Sequence, residues 1–64
     1  MKSLGFTNRE KEVLQLICLG YTNAQIAEAL NISFYTAKAH VSAILQKMGV
    51  KRRLLAALKY SGDL

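Results

Sequence analysis

Cys18 and His40 have the side chains best suited to covalent or metal chemistry, and each is the single residue of its type. A cysteine nucleophile needs a positioned base and a group that orients the base, and a structural zinc ion takes about four ligands. Cys18 and His40 lie in separate predicted helices with few acids near them. The sequence therefore predicts no enzyme, no metal site and no cofactor. Cys18 is expected to be a small buried apolar residue, and His40 to pack beside the core.

A second set of side chains has the chemistry of base recognition. Lys38 can donate to O6 and N7 of guanine, Ala39 can contact a thymine methyl group, and Ser42 can pair with several bases. At about 100° per residue, these residues and Tyr35 lie on or beside the outward face of one predicted helix. We therefore predict that Tyr35, Lys38, Ala39 and Ser42 read bases. The alternative for Lys38 by itself is an ordinary solvated lysine.

Two capping boxes place the first two helices. In Thr7-Asn8-Arg9-Glu10 and in Thr22-Asn23-Ala24-Gln25, the threonine hydroxyl and the acid or amide three residues later can each bond the other's backbone amide. Helix 1 is thus predicted to begin near Asn8 and to end at Gly20, and helix 2 follows at once. The inward residues predicted for these helices are Val13, Leu14, Ile17, Ile26, Ala27 and Leu30.

The next boundary predicts a helix-turn-helix, with a core of about residues 22–48. Asn31 can end helix 2 in the left-handed conformation, and Ser33 can cap helix 3. So short a turn makes two helices cross steeply. Helix 3 should run from Phe34 to about Met48 and stop at Gly49. Its predicted inward stripe is Ala37, Val41, Ile44, Leu45 and Met48.

Helix 4 is predicted to begin at Arg52 or Arg53 and to end near Gly62. Its leucines cannot all face one small core, because they span more than one side of a helix. We therefore expect dimerisation through Leu54, Leu55 and Leu58, of which Leu55 or Leu58 should be the most exposed.

Several basic residues have more than one possible role. Arg53 is predicted to pair with Glu10 or Glu12 and so to join helices 1 and 4; its alternative is a phosphate contact. Lys47 and Lys51 are predicted to contact phosphates, although Lys51 can also be simply solvated.

The length and charge of the chain limit the size of the domain and the kinds of partner it can bind. The 64 residues, 52% hydrophobic and 20% charged, form one small all-α domain, residues 1–64. Residues 1–31 carry as many acids as bases, so the whole net charge of +5 falls on residues 32–64. A polyanion partner is one explanation of this asymmetry, and a solvated face is the other. The chain has no membrane-length apolar stretch and no signal-peptide pattern, and its lone cysteine fits a reducing cytoplasm.

Three stretches of sequence carry a family resemblance. They are Leu4-x-x-Thr7-x-Arg9-Glu10-x-Glu12-Val13-Leu14, Gly20-x-x-Asn23-x-x-Ile26-Ala27-x-x-Leu30-x-Ile32-Ser33-x-x-Thr36-x-Lys38-x-His40, and Ile44-x-x-Lys47-Met48-Gly49-Val50-x-x-Arg53-x-x-Ala56. In this pattern the chain resembles the LuxR-type DNA-binding domain over residues 4–60. That domain is the output module of NarL/FixJ-type response regulators, and it also occurs alone in small bacterial transcription factors.

The resemblance implies a four-helix DNA-binding module. In the family, the third helix enters the major groove, the second crosses the phosphate backbone and the fourth often forms the dimer contact. It therefore implies that Lys38, Ala39 and Ser42 face bases. The implied phosphate neighbours are Asn23, Ser33 and Thr36. The implied partners are double-stranded DNA, a second copy of the chain and RNA polymerase, in the bacterial cytoplasm at the nucleoid.

Two other functions stay open from the sequence. One is a basic helical adaptor that binds an acidic protein. The other is a promoter-recognition domain like those of sigma factors, which share the helix-turn-helix. The fourth helix after Gly49-Val50 and the pattern Thr36-x-Lys38-x-His40 favour the LuxR type.

Overall fold

The computed structural model describes residues 5–62, which form four helices and no strand. The helices are α1 (Asn8–Cys18), α2 (Asn23–Leu30), α3 (Phe34–Met48) and α4 (Arg53–Gly62). The all-α architecture with a central helix-turn-helix, α2 and α3, is thus confirmed. Leu4 of the first motif and the ends of the predicted 1–64 domain lie outside the described residues.

The helices begin where their capping residues predict. The Thr7 hydroxyl accepts from the Glu10 amide at 3.1 Å, and a Glu10 carboxylate oxygen accepts from the Thr7 amide at 2.9 Å. Thr22 and Gln25 repeat this capping box at α2. Ser33 caps α3 by accepting from the Thr36 amide at 3.0 Å. Each bond satisfies amides that the first turn of a helix leaves without an internal partner.

Residues with positive φ follow each of the first three helices, directly after α2 and α3 and two residues after Cys18 at the end of α1. These are Gly20 at +89°, Asn31 at +57° and Gly49 at +70°. In the turn between α2 and α3, the Ile32 amide donates to the Ala27 carbonyl at 2.9 Å, as in a Schellman motif. The left-handed residues therefore turn the chain within connections of only three or four residues, 19–22, 31–33 and 49–52.

One hydrophobic core joins all four helices. Its buried apolar residues are Phe6, Val13, Leu14, Ile17, Ile26, Ala27, Ala37, Val41, Ile44, Met48 and Ala56. Leu30 and Leu45, which were predicted to face inward, are only half-buried against this core, and so is Cys18. Because α3 gives one stripe to the core, its opposite face is left to solvent.

Candidate nucleic-acid interface

The outward face of α3 carries the predicted base-reading residues. Tyr35 is 80% exposed, and Lys38, Ala39 and Ser42 are exposed as well. Gln46 is also exposed and continues this face one turn further along the helix. The structure therefore gathers the four predicted residues on one surface, free of the core.

An aromatic pair lies at the N-terminal end of that face. The rings of Phe34 and Tyr35 meet edge to face, with centroids 5.8 Å apart and planes at 85°. Phe34 is 47% exposed, and sequence reasoning gave it no surface role. Its spacing gave no such signal, because Phe34 lies three residues before the core residue Ala37 and so on the same side of the helix as the inward stripe.

The hydroxyl groups of Ser33 and Thr36 are linked at the start of α3. Ser33 Oγ donates to Thr36 Oγ1 at 2.9 Å and also accepts from the Thr36 amide. With the Ser33 proton used in this way, the Thr36 hydroxyl proton is left to donate elsewhere. Both residues are exposed, so a donor that could serve an anion lies beside the outward face of α3.

Asn23, the first residue of α2, is held by α4. Nη1 of Arg53 donates to Oδ1 of Asn23 at 3.1 Å. The predicted pairing of Arg53 with Glu10 or Glu12 is therefore wrong. Arg53 lies within reach of the α2 N-terminus, and a different cation pairs with Glu10.

That cation is Lys47. Its ammonium nitrogen lies 2.6 Å from a Glu10 carboxylate oxygen and 3.2 Å from the Gly5 carbonyl oxygen, and it lies 5.7 Å from the centroid of the Phe6 ring. The hydrogen bond from Lys47, reinforced by the one from the Thr7 amide, holds the pKa of Glu10 below its ordinary value. Lys47, which was predicted to contact a phosphate, is thus bound within the protein and links the end of α3 to the start of α1.

Lys51 and Arg52 differ from Lys47 in their surroundings. Both are exposed in the connection between α3 and α4. Neither forms a side-chain hydrogen bond or an ion pair with another described residue. Their charges are available to an external anion.

The leucines of α4 form an exposed apolar surface. Leu54 is 65% exposed, Leu58 61% and Leu55 40%. The prediction that they cannot all face the core is confirmed. The prediction that Leu55 or Leu58 is the most exposed of the three is wrong, because Leu54 projects further into solvent than either.

Cys18 is not arranged for covalent chemistry. Cys18 is half-buried, and burial raises the pKa of its thiol, which disfavours the reactive thiolate. It lines a pocket of about 260 Å³ with Ile17, Gly20, Tyr21, Thr22, Arg53, Leu54 and Ala57. Among residues 5–62, no group of three or more His, Cys, Asp or Glu residues could hold a metal ion.

No helix in the described part of the chain is long and apolar enough to cross a membrane.

Comparison with known proteins adds family information to this geometry. A family described as "Bacterial regulatory proteins, luxR family" matches residues 4–59. Transcriptional regulatory protein DegU of Brevibacillus brevis is 57% identical over 53 residues, which cover 83% of this chain and 22% of DegU. Response regulator protein VraR of Staphylococcus aureus is 48% identical over 52 residues, or 81% of this chain and 25% of VraR. The chain thus spans about a quarter of the length of these relatives.

Proposed function

This chain belongs to the luxR family of bacterial regulatory proteins, and from that premise we propose that it binds double-stranded DNA by inserting α3 into the major groove and so regulates transcription. One observation carries the proposal: α3 buries one stripe completely while its opposite face presents short side chains and Lys38 to solvent. The major groove is wide enough for a helix, and its base edges are within reach of such side chains.

Base recognition is assigned to Tyr35, Lys38, Ala39 and Ser42. Lys38 can donate to guanine, Ala39 can contact the thymine methyl group and Ser42 can exchange hydrogen bonds with several bases. The Tyr35 ring, braced by Phe34, can contact base edges or sugars at the N-terminal end of the helix. The N-terminal half of a recognition helix is the part that approaches base edges in helix-turn-helix proteins.

Phosphate contacts are assigned to Asn23, Ser33 (through its backbone amide, since its hydroxyl donates to Thr36), Thr36 and Lys51. The first three lie at the N-terminal ends of α2 and α3, where unpaired amides and the helix dipole favour an anion. Lys51 adds a free positive charge. Because Lys47 is bound to Glu10, we assign Lys47 a structural role in this proposal and not a phosphate contact.

Dimer formation on DNA is assigned to Leu54, Leu55 and Leu58. A two-fold pair of α4 helices would cover the exposed leucine surface and present two copies of α3 to the same side. Transcription regulation further implies RNA polymerase as a partner at the promoter. DegU is named as a transcriptional regulatory protein and VraR as a response regulator, which supports regulation of this kind.

Selection of bound duplexes from a random DNA pool tests the proposal. We expect enrichment of a defined sequence, with affinity for it that exceeds affinity for the unselected pool by about 10³-fold or more. Binding to both should fall steeply as salt rises. Equal affinity for heparin, unselected DNA and the enriched duplex would instead favour a basic adaptor for acidic partners.

A further inference from the structure

Arg53 donates a hydrogen bond to Asn23, one of the residues proposed to contact a DNA phosphate. We propose that Arg53 is a positioning residue for DNA binding: it fixes the Asn23 side chain so that the amide NH₂ group, and not the carbonyl oxygen, faces a DNA phosphate. This inference rests on the proposed function, because it explains how one of the proposed phosphate contacts is oriented.

The hydrogen bond between the two side chains fixes the orientation of the amide. Nη1 of Arg53 donates to Oδ1 of Asn23 at 3.1 Å. A guanidinium group carries donors and no acceptor, so only the oxygen of the Asn23 amide can face it. The NH₂ group then lies on the other side of the same planar amide. Within residues 5–62, that NH₂ group has no hydrogen-bond partner.

The location of Asn23 makes this orientation relevant to an anion. Asn23 is the first residue of α2 and directly follows the cap residue Thr22. The helix dipole is positive at this end, and an NH₂ group there adds a donor for a phosphate oxygen. Without Arg53, the amide could turn over and present its oxygen, which repels the phosphate.

Stability by itself is a poor explanation of the arrangement. Nη2 of Arg53 is buried and has no hydrogen-bond partner among the described residues. A buried donor without a partner is destabilising, so a half-buried arginine is an unfavourable way to fix α4 against α2. The hydrogen bond to Asn23 is better explained as fixing which end of the Asn23 amide faces outward.

A double-mutant cycle measured by DNA binding tests the inference. A mixed-sequence duplex is a sufficient probe, because phosphate contacts do not depend on base sequence. Asn23→Ala should raise the Kd about fivefold to tenfold, the effect of one lost hydrogen bond. Arg53→Gln should raise it about twofold, because an amide that samples both orientations equally presents its NH₂ group half of the time. The double variant should bind no more weakly than Asn23→Ala, because no amide is left to orient.

Salt dependence separates positioning from direct contact. If Arg53 only orients Asn23, Arg53→Gln leaves the slope of log Kd against log salt concentration unchanged. If its guanidinium neutralises a phosphate, the slope falls by about one. Arg52→Gln is the matched control, because it removes the same charge from an exposed neighbour. Any effect of Arg52→Gln should add to that of Asn23→Ala.

Two conservative variants guard against misfolding. Arg53→Lys keeps one donor and the charge, so it should recover part of the lost affinity. Asn23→Asp keeps an acceptor for Arg53 and suits a helix N-terminus, so circular dichroism should show a folded domain. It should nevertheless bind DNA more weakly than Asn23→Ala, because a carboxylate oxygen replaces the NH₂ group.

Any of three outcomes would overturn the inference. The losses of affinity for Asn23→Ala and Arg53→Gln could add in the double variant, or the salt slope of Arg53→Gln could be lower than that of the wild type. The third is that Asn23→Asp binds DNA at least as well as Asn23→Ala. The proposed function fails separately, when the wild-type domain shows no salt-dependent binding to the duplex. If the wild type binds and Asn23→Ala binds equally well, the inference fails while the function stands.

Discussion

Lys38 is an exposed cation on the outward face of α3, and in the proposed complex it contacts a base and not the backbone. A base contact carries sequence information and a phosphate contact does not. Lys38→Ala should therefore cost about 1–3 kcal/mol on the selected DNA site and little on random DNA beyond the loss of one charge. Fluorescence anisotropy titrations with both duplexes measure the difference. Equal losses of affinity for the two duplexes would indicate that Lys38 contacts the DNA backbone and not a base.

Lys47 and Lys51 lie four residues apart, but Lys47 is paired with Glu10 whereas Lys51 has no side-chain partner among the described residues. Lys51→Gln should weaken binding to all DNA sequences alike and lower the salt slope by about one, because Lys51 is free to neutralise a phosphate. Lys47→Gln should leave the slope unchanged. It should lower the free energy of unfolding by about 1 kcal/mol, because Glu10 loses its charged partner while Lys47 itself is partly solvated. A reduced salt slope for Lys47→Gln would show that Lys47 leaves Glu10 to bind DNA.

At the scale of the elements, the turn between α2 and α3 depends on the conformation of Asn31. Its φ of +57° and ψ of +48° lie in the left-handed region, which Asn and Gly tolerate better than other residues. Asn31→Ala should lower the free energy of unfolding by about 1 kcal/mol, whereas Asn31→Gly should be close to neutral. Urea denaturation of the three proteins provides the comparison. Equal stability of the alanine and glycine variants would contradict the role of the left-handed turn.

The contact of α1 with α3 depends on the ionisation of Glu10. The Lys47 bond keeps the pKa of Glu10 in the folded protein below its ordinary value of 4.5. A lowered folded-state pKa means that the contact contributes full stability above pH 4.5 and loses it as pH falls through the folded-state pKa. The free energy of unfolding of Glu10→Gln should therefore fall less steeply from neutral to acid pH than that of the wild type. Parallel stability curves for the two proteins would show that other carboxylates control acid unfolding.

The sequence predicted the helix bounds well because caps and left-handed ends are local. Thr7, Thr22 and Ser33 bond to amides three residues away, so their effect can be seen in a short stretch of chain. The partners of Lys47 and Arg53 lie 37 and 30 residues away. Which acid or amide each cation meets depends on how the helices cross, and that information is absent from spacing.

At the scale of the whole molecule, the internal ion pair changes the distribution of charge. The excess of positive charge falls on residues 32–64, but Lys47 is offset by Glu10 of the first half. Lys38, Lys51 and Arg52 are exposed and remain to attract DNA. A domain of 64 residues has a small contact area, so pairing two domains on one DNA site is a direct way to raise affinity and specificity.

In the proposed dimer, the exposed leucines of α4 would provide the contact surface. Leu54 and Leu58 are the most exposed leucines of this helix and project about 40° apart around it. A two-fold dimer on this face would place the two α3 helices in successive major grooves, with half-site centres about 10 base pairs apart. The face is small, so dimers should dissociate near micromolar concentration without DNA and be stabilised when both domains are bound.

Leu58→Glu should therefore abolish cooperative binding to a DNA with two selected half-sites, because a carboxylate would be buried in the dimer contact. Leu19→Glu is the matched control: Leu19 is 71% exposed, follows the last residue of α1 and is not one of the α4 leucines assigned to the contact. It adds the same negative charge and should leave cooperativity intact. Circular dichroism should show both variants helical. Cooperative binding by Leu58→Glu, or independent binding of wild-type monomers to the two half-sites, would exclude a dimer through α4.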